Sequence, residues 1–266
     1  MPAVELNRLK SQTSELAWRF TRPVEFQRQL NELLSMYADR VYRPGQTVVA
    51  GQLAEAYHVP ILVMRQVQQE LVPLIAQNPG SAISLADILW QDTHLEPRLL
   101  AAYILNQLPA SYCDSIIQRL DAWCRPEEGQ QALDGLLTQA GAHMRRWASR
   151  AWFSLIESWL GSGKPGMQNI ALQALQATVK DQEFENLPMV YQLITPLART
   201  VPTVLQGRLT DVLEELARRS PNETAHFLRQ VVSTTTHIEA VRLARRILPL
   251  LPASLQENLR SFLITR

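Results

Sequence analysis

The residues here that could do chemistry are mostly arginines. Of 26 cationic residues, only Lys10, Lys164 and Lys180 are lysine. A planar guanidinium grips phosphate or carboxylate as a fork, which an ammonium cannot do. Genomic base composition explains such a bias equally well. Several arginines are followed closely by alanine within an apolar helical stretch: Arg98 by Ala101 and Ala102, Arg146 by Ala148, Arg242 by Ala244. If those helices share one face, their arginines form a ladder suited to a polyanion. If instead they pair with carboxylates on adjacent helices, they hold the fold together. Arg145 and Arg150 flank Arg146, and Arg245 and Arg246 extend the cluster at Arg242.

Other reactive constellations are lacking. The histidines at 58, 94, 143, 226 and 237 have no second ligand at zinc-helix spacing, so no metal site and no cofactor is expected. No Gly-x-Ser-x-Gly nucleophile elbow occurs. Gly161-Ser162-Gly163-Lys164-Pro165-Gly166 lacks the Gly-Lys-Ser/Thr of a phosphate loop and follows a helix, so it reads as a turn. Trp147, Trp152 and Trp159 stand near helical spacing, which suits core packing first and nucleic-acid stacking second. Cys113 and Cys124 form no metal or disulfide pattern, so reduced thiols in a cytoplasmic protein are expected. The N-terminal residues carry no apolar run after a basic start, and no stretch is long and apolar enough to span a membrane.

The elements that must position these residues read as helices. Hydrophobic content is 46% and only ten residues are glycine, which favours an all-α fold with few positive-φ positions. Amphipathic stretches are predicted at residues 4–19, 23–42, 48–57, 60–77, 82–91, 94–108, 111–124, 127–140, 143–160, 166–181, 188–200, 203–219, 222–233, 237–249 and 253–264. A loop at residues 43–46 and turns at 57–60 and 78–81 interrupt the first third. Thr93 and Glu96 have the spacing of a capping box, and Leu99, Leu100, Tyr103, Ile104 and Leu108 form the predicted buried stripe of the helix that follows. Short connections make successive helices antiparallel neighbours. The prolines at 188, 221 and 252 stand 33 and 31 residues apart, close to the period of about 34 found in helical-repeat units. Tetratricopeptide and ankyrin signatures are missing, which leaves HEAT-like repeats. The expected architecture is a right-handed α-solenoid of stacked antiparallel hairpins, one domain over residues 1–266, with an N-terminal cap to residue 80 and repeats beyond it.

The run His94-Leu95-Glu96-Pro97-Arg98-Leu99-Leu100-Ala101 resembles the His-Glu-x-Arg-x-x-Ala helix of the HEAT-like DNA alkylation-repair glycosylases, the AlkD-like family. Arg145-Arg146-Trp147-Ala148 resembles that family's Arg-Arg-apolar-Ala helix, and Tyr57 to Gln66 its aromatic-x-Val-Pro-to-Arg region. The resemblance spans roughly residues 25–235. It implies a helical protein that holds duplex DNA on a concave face and excises alkylated purines. It also implies a carboxylate that stabilises the sugar cation, tryptophans that cradle the lesion, and an arginine on phosphate. A cationic base is already a good leaving group, so little acid catalysis is needed.

The family's Trp-Asp-x-x-Asp segment fits three registers imperfectly. Asp114 keeps an acid but has Ala110 in the Trp position. Asp121 keeps the first acid and has Cys124 in place of the second. Trp123 with Glu127 keeps the spacing but brackets Pro126. No Trp falls near residues 205–213, where a later one belongs. The candidate catalytic acids are Asp114 or Glu127, and the candidate DNA contacts are Arg98, Arg145, Arg146, Arg150, Trp123 and Arg242, of which the resemblance carries over Arg146 most directly. Excision of alkylated purines stays open on this pattern. The alternative is a non-enzymatic repeat scaffold for a protein or peptide. A monomer is expected in either case.

Overall fold

A computed structural model describes residues 5–39 and 55–264. Among them there are fourteen α-helices and no strand: α1 Leu6–Ala17, α2 Pro23–Tyr37, α3 Ile61–Gln77, α4 Pro79–Trp90, α5 Leu95–Asn106, α6 Cys113–Trp123, α7 Gln130–Trp147, α8 Ser149–Gly161, α9 Pro165–Lys180, α10 Leu187–Thr200, α11 Gln206–Arg219, α12 Pro221–Thr234, α13 Ile238–Ile247 and α14 Ala253–Ile264. The fold is all-α. Proline punctuates it: Pro23, Pro79, Pro165 and Pro221 each open a helix, where the missing N–H would have no partner anyway.

The chain divides into two compact units, Met1–Ser149 and Arg150–Arg266. In the first, α1, α3, α5 and α7 pack in succession, and α2 packs on α4. In the second, α9, α11 and α13 form one series and α10, α12 and α14 the other. Packing of each helix on the next but one is what stacked helical hairpins produce.

The middle of the first unit is α5. Glu96, Pro97, Arg98, Leu100, Ala101, Ala102, Ile104 and Leu105 are all buried, because α4 and α7 cover it from two sides. Ala101, Ala102 and Gly135 allow the close approach: a Cβ added at Gly135 would stand 2.2 Å from Cδ2 of Leu99. Leu99 itself is only half-buried, as is Tyr103, and Ala101, Ala102 and Leu105 take the buried places instead.

Besides the turn expected at 78–81, whose Pro79, Gly80 and Ser81 instead open α4, three expectations need correction. The segments 127–140 and 143–160 are not the helices that form. α7 runs unbroken through Gly141 to Trp147, and the chain breaks at Ala148, with φ −145° and ψ 49°. One glycine inside a helix costs only about 1 kcal/mol, and buried Ala140, His143 and Met144 on either side repay it through packing. Arg145 and Arg146 therefore close α7, whereas Arg150 opens α8.

The second correction is the capping box. His94, not Thr93, is the N-cap of α5 and makes no side-chain cap. The Glu96 carboxylate accepts the backbone N–H of Tyr57 at 3.1 Å and of His58 at 2.7 Å. It anchors the turn in which His58 has φ 54°. Third, the loop at 43–46 and most of the helix at 48–57 lie outside the described residues. Residues 55–57 are not helical, and Glu55 makes an isolated bridge to His94.

Candidate nucleic-acid interface

The candidate residues of the first unit separate to opposite ends of α7. This helix has 18 residues, and at 1.5 Å per residue it spans about 27 Å. At its N-terminal end lie Arg98, Trp123 and the turn that holds Glu127. At its C-terminal end lie Arg145, Arg146 and Trp147. Asn106, the last residue of α5, donates to Gln139 at 3.2 Å and accepts from the His143 ring at 3.2 Å through its carbonyl. The ends of α5 and α7 are thus level with each other.

Arg98 is enclosed. Its guanidinium lies 4.5 Å from the centroid of Trp90 and pairs with Glu128 across the turn before α7. Trp90 and Trp123 stack with centroids 4.8 Å apart and planes 5° from parallel. Burial pushes the Arg98 pKa down from its ordinary value, and the nearby Asp92 carboxylate partly offsets this. A cation already stacked, paired and buried cannot also reach phosphate. Arg98 and Arg146 are therefore not rungs of one exposed ladder, because most of the length of α7 lies between them and only Arg146 is exposed.

Asp92 is equally committed. It accepts from Gln27 at 2.7 Å, Asn31 at 2.8 Å, the backbone N–H of His94 at 2.9 Å and the His94 ring at 3.1 Å. Burial alone would raise its pKa, but these hydrogen bonds outweigh burial and hold it below the usual carboxylate range. The His94 ring in turn stacks on Tyr57 at 4.3 Å. Asp92, Trp90 and Glu128 are the residues that sequence reasoning passed over. Trp90 and Asp92 flank the connection into α5, and that position was the available signal.

At the other end the side chains face water. Arg146 is exposed and Trp147 is 58% exposed. Arg145, by contrast, is buried and donates to the Leu137 carbonyl at 3.5 Å. Asp114 is exposed in the first turn of α6. α6 packs on α7 and joins it by a short turn, so the two run antiparallel. That topology brings the start of α6, with Asp114, toward the C-terminal half of α7 and leaves Glu127 at the other end. Two thiols bracket α6: Cys124 is sealed in the core and Cys113 is half-buried, and burial pushes both upward in pKa. In the second unit, Arg150 is exposed at the start of α8, and exposed Arg242 pairs with Glu239.

A family model described as DNA alkylation repair enzyme matches residues 53–248, most of the chain. The chain belongs to the DNA alkylation repair enzyme family. No curated protein and no solved structure matches it. The family match takes in α3 to α13, and so every candidate residue named above. It leaves out α1 and α2, although α2 supplies the Gln27 and Asn31 that hold Asp92. Among the described residues, no group of three or more His, Cys, Asp or Glu is placed to hold a metal ion, and no helix is long and apolar enough to cross a membrane.

His143, just beneath the Arg146 end, gives a pH prediction. Burial pushes its pKa down; the Asn106 carbonyl opposes this, and the charge of Arg146 adds to it. Its Nε2 is buried without a hydrogen-bond partner, so protonation would strand a charged N–H. The unfolded chain takes up this proton near pH 6.5 and the folded chain only at lower pH. Stability from the neutral imidazole is therefore complete above about pH 6.5 and declines as pH falls toward the folded pKa. Urea unfolding of His143→Gln between pH 8 and pH 5.5 is expected to show a shallower decline than the wild type. Equal slopes would remove His143 as the source.

Proposed function

We propose that this member of the DNA alkylation repair enzyme family binds duplex DNA through the exposed end of α7. Membership itself supports a DNA-repair-related function. The observation that carries the finer reading is the exposed Arg146–Trp147 pair in the last turn of α7. An exposed cation beside an indole that is 58% exposed suits a phosphate contact next to a stacking surface. The alternation of packed helices within each unit supports the HEAT-like reading of the fold.

Asp114 is the acid that the topology brings toward this pair. Glu127 is at the far end of a helix about 27 Å long, too distant to act on a nucleotide held at Arg146. If the protein excises alkylated purines, Asp114 is the residue to stabilise a sugar cation there. The test has two readouts. Fluorescence anisotropy with duplex DNA over a salt series is expected to show binding that falls steeply with salt; no binding at low salt sinks the proposal. Release of methylated purine from treated DNA is expected to be lost in Asp114→Asn and kept in Glu127→Gln. The reverse outcome would move the acid to the other end of α7.

A further inference from the structure

A second surface lies in the second unit and is lined by none of the residues assigned above. A cleft of about 580 Å³ runs between the N-terminal halves of α10 and α12. Pro188 and Tyr191 line it from α10, and Phe227 and His226 from α12; Glu185 and Glu223 line it as well. Tyr191 and Phe227 pack at 5.1 Å with planes 42° apart. The Tyr191 hydroxyl is tied to Thr224 at 2.8 Å, so its ring is fixed. Both glutamates are exposed, and no Lys or Arg lines the cleft among the described residues.

The cleft is also held open in advance. Arg219, at the end of α11, donates to the carbonyls of Val179 at 2.8 Å and Asp181 at 2.7 Å, and to that of Phe184. One guanidinium thus fixes the loop that presents Glu185. On the facing helix, Ser220 donates to Glu223, which orients that carboxylate and holds its pKa below the usual value. Preorganised acids over an aromatic floor repel a polyanion. They suit a cation flanked by an apolar group.

We infer that the α10–α12 cleft docks a peptide segment of a protein partner that carries a basic residue next to an apolar one. The basic side chain lies between Glu185 and Glu223 over the Tyr191 ring, and the apolar neighbour rests on Pro188 and Phe227. This surface does not depend on the DNA reading, since none of its residues belongs to the α7 end.

The probe is a fluorescein-labelled hexapeptide with a central Arg-Leu, followed by anisotropy on the full chain. Saturable binding is expected, weakened about tenfold or more in Glu185→Gln and further in Glu185→Gln/Glu223→Gln, and absent for the Asp-Leu peptide. Because Glu223 is tied to a helix start, the single Glu185→Gln variant guards against loss of folding, and thermal melts of both variants are compared with the wild type. Arg146→Glu is expected to leave peptide affinity unchanged. The inference is overturned if the Arg-Leu peptide does not bind, if Glu185→Gln binds it as well as the wild type, or if duplex DNA displaces it from the Arg146→Glu variant.

Discussion

Replacing Arg98 by alanine is expected to lower the unfolding free energy by about 3 kcal/mol, the low end of the cost of breaking a buried ion pair. The low end applies because the Glu128 side chain is 26% exposed and the pair is partly screened. Three losses combine: Glu128 loses its cation, Trp90 loses the guanidinium above its ring, and a gap opens in the first turn of α5. The double substitution Arg98→Met/Glu128→Leu is expected to recover most of that stability, since an apolar pair of similar volume needs no desolvation. Urea melts of the wild type, the single and the double variant check both statements. An Arg98→Ala protein that melts with the wild type would show that the pair is not part of the packed interior.

Arg146→Glu has the opposite profile. Arg146 is exposed in the last turn of α7, so reversing its charge is expected to change stability by no more than about 0.5 kcal/mol. Affinity for duplex DNA is expected to fall about tenfold or more, and the slope of log affinity against log salt to drop by about 1. Arg98→Met, compared at a temperature where both variants are folded, is expected to leave that slope unchanged. Arginines that look alike in the sequence are thereby sorted by two measurements, one of stability and one of salt dependence. If Arg98→Met reduced the slope and Arg146→Glu did not, the interface would have to be sought at the other end of the helix.

The all-helical class and most helix starts were legible because proline and short polar breaks announce them. Pro23, Pro165 and Pro221 open helices where expected. The break at Ala148 was not legible. Alanine and serine carry no stop signal, whereas Gly141 carries a false one that burial overrides. Nor was the fate of Arg98. A run of arginine and small apolar residues looks alike whether the helix is at the surface or enclosed. What encloses Arg98 is Trp90 from one helix and Glu128 from a turn 30 residues further on. Glu96 misled for a related reason: its spacing from Thr93 fits a local cap, but its partners are 38 and 39 residues away in sequence. Local pattern located the helices. Which end of each helix faces water depended on pairings that sequence spacing does not encode.

The two thiols at either end of α6 have a practical consequence. Only the thiolate is alkylated at useful rates, and Cys124 is sealed in the core while Cys113 is only half-buried. A maleimide reagent on the folded protein should therefore mark Cys113 slowly and leave Cys124 untouched, until α6 detaches and the second label is taken up. The mass of the labelled chain then reports the fraction of molecules in which α6 has opened. The first label sits next to Asp114, where a dye would test the proposed DNA interface.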